Sequence, residues 1–281
     1  MADFTRLRDY FQDKRKVRIL ILDNNNIQYC NQHEQYFPVD YIFSDYDLVL
    51  VPGWIHAEVS QSERGLEYLS RAPRELMVFL EEEDYLPLIQ YEDERLIKLF
   101  KMATAIYPTC KQFFKSLQAE IGRTGDIPDD WIESFYDSGF DVTTTSDGKQ
   151  LKKNAGEVSI LTLSFLLVHY FGDKINYITI CSNDMASYQI KRAILDYVGK
   201  ERLLTLSRIP IGFKTTDVIL IEAFKKGLIG PSQVSQLRTN SRSCIYVRRL
   251  PDGTSETFEH VVSTVDFIDI LSDIGNYDFI F

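Results

Sequence analysis

Four acidic residues stand where apolar runs stop or helices start. Asp23 closes RILILD and is followed by Asn24, Asn25 and Asn26, and Asp184 follows YITICSN directly. Glu157 opens an apolar helical pattern in NAGEVSI, where Gly156 allows tight packing. Glu58, in VPGWIHAEVS, falls about one and a half helical turns after Pro52. In an open α/β sheet, ligands collect outside the carboxyl ends of the strands, so these residues are placed to act. Carboxylates that converge there repel one another unless a cation joins them. Oxygen-only donors suit hard ions, which makes Mg2+ or Mn2+ the expected cofactor. Two such ions could activate a water and stabilise the leaving oxygen in an in-line attack on a phosphodiester. Lys152 and Lys153, just ahead of the Glu157 helix, could receive phosphate.

Each acid also has a plainer reading. An Asp at a strand end is commonly a turn former or a helix cap, and Glu157 could simply be a favourable charge in a first helical turn. Glu58 could face solvent, and Asp217, after Thr215 and Thr216, reads as a helix cap. His33, His56, His169 and His260 are scattered, no glycine-rich phosphate loop is present, and no Ser-His-Asp spacing suggests a nucleophilic side chain.

The elements that must carry these residues alternate. A helix over Asp3–Lys14 leads to a buried strand, Val17–Leu22, and LVLVP forms a second strand ahead of a helix from Trp54. From 60 to 153 the sequence turns acidic and helical, around Glu94–Phe114 and Asp129–Tyr136, and reads as a helical insertion. Asp141–Gln150, with Asp147-Gly148 as a turn signal, reads as a loop. Alternation resumes with a helix from Glu157 to Tyr170, a strand over Tyr177–Cys181, a helix over Met185–Tyr197 and a strand near Leu203–Leu206. The expectation is a three-layer α/β/α domain over 1–230 with a mainly parallel sheet. Residues 231–281 form a small appendage: a hairpin around Pro251-Asp252-Gly253, a short helix, and an apolar end that should pack on its own domain or on a partner.

Composition narrows the classes. With 44% hydrophobic and 26% charged residues, the chain is globular rather than disordered. A formal net charge of -10 excludes a protein that coats nucleic acid through a basic surface, so a nucleic-acid substrate must be met locally. The 4 cysteines form no Cys-x-x-Cys pair, and the longest apolar run, Ile160–Phe171, is short for a membrane span. No signal-peptide core is present at the start. A cytoplasmic protein with no membrane contact is expected.

The order and context of the four motifs resemble the PIN domain family of metal-dependent nucleases. In that family an Asp after the first strand precedes a Glu after a Pro-containing second strand, a third acid at a helix start and an Asp after a later strand. Asp23, Glu58, Glu157 and Asp184 occupy those places, and TTDVILIEAFKKGLIG resembles the closing helix of many bacterial members. Asn24 departs from the pattern, standing where Thr or Ser is usual. The resemblance implies an endoribonuclease in which the four acids hold Mg2+ or Mn2+, Asn25 positions Asp23, and RNA is cut. It further implies a toxin or phage-defence role, with an antitoxin-like inhibitor as protein partner; a homo-oligomer stays open. Two other readings stand beside it: an inactive RNA- or protein-binding module of the same fold, and a phosphohydrolase of small phosphate esters.

Overall fold

The computed structural model describes residues 3–144, 148, 150–201, 203–206 and 209–281. The chain begins with α1 (Phe4–Tyr10) and β1 (Val17–Leu22), an apolar strand in which only Arg18 is not buried. Next come α2 (Asn24–Gln32), α3 (Val39–Phe43) and β2 (Leu48–Pro52), which is buried throughout. Pro52 is the N-cap of α4 (Gly53–Val59), and α5 (Glu63–Ser70) then leads to β3 (Glu75–Phe79). A helical stretch follows: α6 (Glu81–Leu88), α7 (Asp93–Ala103), α8 (Pro108–Thr124) and α9 (Trp131–Ser138). Two short strands, β4 (Val142–Thr144) and β5 (Gln150–Lys152), pair antiparallel ahead of α10 (Ala155–Phe171) and β6 (Ile175–Cys181). The layered part ends with α11 (Met185–Glu201), β7 (Ile211–Phe213) and α12 (Thr216–Lys225). The remainder is α13 (Pro231–Leu237), β8 (Arg242–Arg249), β9 (Ser255–Val262), α14 (Thr264–Ser272) and β10 (Tyr277–Phe279).

The central sheet runs β3-β2-β1-β6-β7, and every neighbouring pair is parallel. The chain therefore builds outward from β1 to β3, then crosses to the other side of β1 and builds outward again. The point of reversal lies between β1 and β6, where a crevice at the strands' carboxyl ends is expected. Beneath it α10 packs on β2, β6, α4, α6, α7 and α11, which is why its sequence is apolar on all sides. Close approach to α4 depends on Gly156: a Cβ there would lie 2.3 Å from Ile55 Cδ1.

The expected α/β/α architecture is what the chain adopts. Two strands differ from the sequence reading. Within the stretch read as a helical insertion, Glu75–Phe79 is the edge strand β3, a continuous apolar run over Leu76–Phe79 of which only Met77 and Phe79 are buried. Leu203–Leu206 is not a strand; the fifth strand is Ile211–Phe213, too short to leave a period of its own. The loop expected at 141–150 starts and ends in the β4–β5 pair, while Asp147 of its turn signal and Lys149 lie outside the described residues.

In the C-terminal part, β10 adds to the hairpin in the order β10-β8-β9. Phe281 is 2% exposed, with its ring 5.2 Å from Phe213 and 6.1 Å from Tyr188, so the apolar end packs on its own domain. Asp217 is not the cap of α12: the Thr215 hydroxyl takes that role, accepting from the Val218 N–H. Asp217 instead receives Arg238 (0% exposed) at 3.0 Å and Arg242 at 2.9 Å, pinning the C-terminal part to α12. Among the described residues no helix is long and apolar enough to cross a membrane.

Candidate functional site

Asp23 leaves β1 in extended backbone and precedes α2, its N–H bonded to the Cys181 carbonyl oxygen at the end of β6. That bond places Asp23 beside the loop that carries Asp184. The side chain is buried, and its Oδ2 accepts from the Ser182 hydroxyl at 3.0 Å. Burial pushes the Asp23 carboxyl up, Ser182 opposes that, and the charge of Asp184 adds to it. Backbone N–H groups of Asn24 and Asn25 also favour the carboxylate. Asp184 caps the start of α11 by accepting from the Ala186 N–H at 2.8 Å, and its own N–H reaches Ser182 Oγ at 3.2 Å.

Glu58 projects from α4 toward the same crevice, where its Oε2 accepts from Asn24 Nδ2 at 3.3 Å. Gln28 on the next turn of α2 donates to Asn24 Oδ1 at 3.1 Å and so fixes which end of the amide faces Glu58. Burial first, and Asp23 second, push the Glu58 carboxyl up to about 7. Glu157 lies in the first turn of α10, entered through Asn154 in left-handed backbone (φ 65°), a conformation asparagine tolerates. Its carboxyl is pushed up by burial and then by the charges of Asp23, Asp184 and Glu58. Glu157 therefore feels the other three acids, and Asp23 lies within reach of Asp184 and Glu58, at the reversal point of the sheet.

Among the described residues none of the four forms an ion pair with Lys, Arg or His. Nor, among those residues, is there a group of three or more His, Cys, Asp or Glu side chains placed to hold a metal ion as they stand. The donors fit a hard cation that keeps its waters, because Mg2+ is usually held by one or two carboxylates plus substrate phosphate rather than enclosed by protein. A buried hydroxyl strengthens that fit. Tyr107, the N-cap residue of α8, has no hydrogen-bond partner for its OH among the described residues and feels the charges of Glu157 and Asp184. Buried hydroxyls are rarely left unpaired, so this one is a donor that a water or a phosphate oxygen would satisfy.

The structure thus brings together Asp23, Glu58, Glu157 and Asp184. It treats the supporting residues differently. The Asn25 side chain is exposed and only its backbone N–H serves Asp23; the side-chain role beside the acids belongs to Asn24. Lys152 donates to the Asp137 carbonyl oxygen and stands 5.8 Å from the centre of the Tyr136 ring, whereas Lys153 is exposed. Ser182 and Tyr107 went unread in the sequence. Ser182 had one signal, a polar residue at the end of a buried strand, while Tyr107 had none, since only the packing of α8 brings it to the crevice. Compared with known proteins, the chain matches no family model and no curated sequence.

Proposed function

We propose that this chain is a metal-dependent endoribonuclease of the PIN type, acting in the cytoplasm. The observation that carries the reading is the group of four acids near the carboxyl ends of β1, β2 and β6, with Glu157 facing the charges of the other three and no ion pair to a basic side chain among the described residues. Asp23, Glu58, Glu157 and Asp184 would hold Mg2+ or Mn2+. The bound ions would supply an acidified water and stabilise the leaving oxygen of the phosphodiester.

The chain's own groups orient that chemistry. Ser182 holds Asp23 and the Asp184 backbone in one relation, and Asn24 holds Glu58. Tyr107 offers its unpaired donor to a phosphate oxygen. Lys153, exposed just ahead of α10, is available to the phosphate backbone, while Lys152 must first release Asp137. In an acidic protein such local contacts have to do the steering. A toxin or defence role with an inhibitor protein follows from the PIN resemblance and is part of the same proposal.

The test is Mn2+ binding by calorimetry, with cleavage of single-stranded and hairpin RNA with and without EDTA. Tight divalent binding and EDTA-sensitive cleavage support the reading. Absence of a divalent site would assign an inactive binding module, and hydrolysis of a chromogenic phosphodiester without RNA cleavage would assign a phosphohydrolase.

A further inference from the structure

Like charges gathered without a cation push one another apart, so something must hold α4 and α10 close enough for Glu58 and Glu157 to interact. The helices meet directly at the acids: a Cβ on Gly156 would lie 2.3 Å from Ile55 Cδ1 and 3.9 Å from Glu58 Oε1. Beside this contact, at the same edge of the sheet, lies a fifth acid. Glu81 begins α6 immediately after β3 and is 0% exposed.

Glu81 Oε1 accepts two hydrogen bonds, from the Trp54 backbone N–H at 3.1 Å and from the Ser159 hydroxyl. The Tyr85 hydroxyl lies 2.6 Å from Ser159 Oγ and donates to the Ser159 carbonyl oxygen at 3.2 Å. Tyr85 belongs to α6, so the bonds run from Trp54 on α4 through Glu81 on α6 to Ser159 on α10 and back to α6. Trp54 stands one helical turn before Glu58 on α4. Ser159 stands two positions after Glu157 on α10, which puts it on a different side of that helix. The other oxygen of Glu81, Oε2, has no partner among the described residues and faces Gly53, where a Cβ would come within 2.4 Å of it.

We propose that Glu81 is a positioning residue of the carboxylate site: by bonding Trp54 and Ser159 at once, it locks the starts of α4 and α10 together and sets the approach of Glu58 to Glu157. The proposal rests on the reading of Glu58 and Glu157 as the cation-holding pair. A buried polar anchor costs stability that an apolar residue would not, so its presence here needs a use. Burial pushes the Glu81 carboxyl up to about 8, against the hydrogen bonds from Ser159 and Trp54, and Glu82 adds to the rise. Glu82, Tyr85 and Tyr136 are the titratable groups that sense it, and none is a cation. At neutral pH Glu81 is therefore chiefly a neutral acid, able to clamp two helices without adding a charge to the nearby cleft. Outer residues that orient metal-holding side chains typically matter about 10–100-fold in metal affinity.

The experiment compares wild type, Glu81→Gln, Glu81→Leu and Ser159→Ala by Mn2+ calorimetry at pH 7 and by amide hydrogen exchange without metal. Glu81→Gln keeps a neutral acceptor and should bind Mn2+ within about threefold of wild type. Glu81→Leu should weaken binding by about tenfold or more, with Ser159→Ala between them. In Glu81→Leu the amides of Trp54 on α4 and Val158 on α10 should both exchange faster. Should Glu81→Leu fail to fold, the Ser159→Ala result alone decides, and unchanged Mn2+ affinity there overturns the clamp. A folded Glu81→Leu with wild-type affinity overturns it too, as does faster exchange confined to Trp54. If wild type itself binds no Mn2+, the cation reading of Glu58 and Glu157 falls. The exchange data then judge the coupling of α4 to α10 separately.

Discussion

Ser182 joins Asp23 to Asp184: its hydroxyl donates to Asp23 Oδ2 at 3.0 Å and accepts from the Asp184 backbone N–H at 3.2 Å. One side chain thus fixes the ends of β1 and β6 relative to each other where the sheet reverses. It also supplies a hydroxyl beside Asp23, from the residue just after β6.

Ser182→Ala removes a bond that favours the Asp23 carboxylate, so the Asp23 carboxyl should rise further. Mn2+ affinity should then fall more at pH 6 than at pH 8, by roughly fivefold against twofold. Calorimetry at the two pH values checks this, and an equal loss at both would detach Ser182 from the ionisation of Asp23.

Asp184→Asn should reduce RNA cleavage by on the order of a hundredfold or more, since it removes charge and hardly alters shape. The amide oxygen can still accept from the Ala186 N–H, so the start of α11 and the melting temperature should hold. A gel-based cleavage assay beside a thermal melt decides the point, and full activity would remove the mechanism.

Without metal, stability should depend on pH in a definite direction. Glu58 and Glu81 are raised to about 7 and about 8, and Asp23 and Glu157 are raised as well. The folded state holds these protons more tightly than the unfolded chain, so their contribution is intact below the ordinary carboxylate range. It is lost as pH rises through the folded values. Metal-free Tm should therefore fall between about pH 5 and pH 8. Glu157→Gln and Asp23→Asn should recover part of it at pH 8, on the order of 1–2 kcal/mol or a few degrees, and little at pH 5. Saturating Mn2+ should invert the order, stabilising wild type most. Scanning calorimetry with and without Mn2+ reads all of this; variants that respond to Mn2+ as wild type does would show that the acids share no ion.

Tyr107→Phe removes a buried hydroxyl that has no partner among the described residues. The variant should be more stable than wild type in metal-free buffer by about 1 kcal/mol, yet cleave RNA roughly tenfold more slowly. Opposite signs in the melt and the rate are the signature of a group kept for substrate. Equal activity would return Tyr107 to packing.

Truncation after Gly275 removes β10 from the edge of β8 and takes Phe281 from Phe213 and Tyr188. Loss of one buried phenylalanine costs about 3 kcal/mol, so the melting temperature and solubility should both drop while RNA affinity persists. Light scattering, a melt and an RNA-binding titration test it. Undisturbed stability with lost RNA affinity would place the hairpin on the substrate path.

What the sequence disclosed follows from how local each feature is. β1, β2 and β6 were readable because each is a short, mostly apolar run that ends at a polar residue or at Pro52-Gly53, and Asp23 and Asp184 were readable because they follow such runs closely. β3 carries the same apolar signal over Leu76–Phe79, but the acidic and helical sequence that follows it, from Glu81 on, sets the reading of the whole stretch. Asn24, Ser182, Tyr107 and Glu81 act through partners remote in sequence: Glu81 needs Trp54 and Ser159, and Asn24 needs Glu58. No window of residues contains both halves of such a pair. The role expected of the Asn25 side chain passed to its neighbour because α2 starts at Asn24, turning Asn24 inward and Asn25 out.

The strand order also dictates when the site can come into being. Ile19 lies opposite Leu48 on one side of β1 and opposite Ile178 on the other. The first pairing closes a short loop; the second waits for most of the chain to be synthesised and for a long loop to close, which slows folding. A nascent chain on the ribosome carries Asp23 and Glu58 well before Glu157 and Asp184 exist. The cleft can therefore assemble only late in synthesis, and until β6 docks, the half-built sheet leaves the open edge of β1 to be shielded by other means.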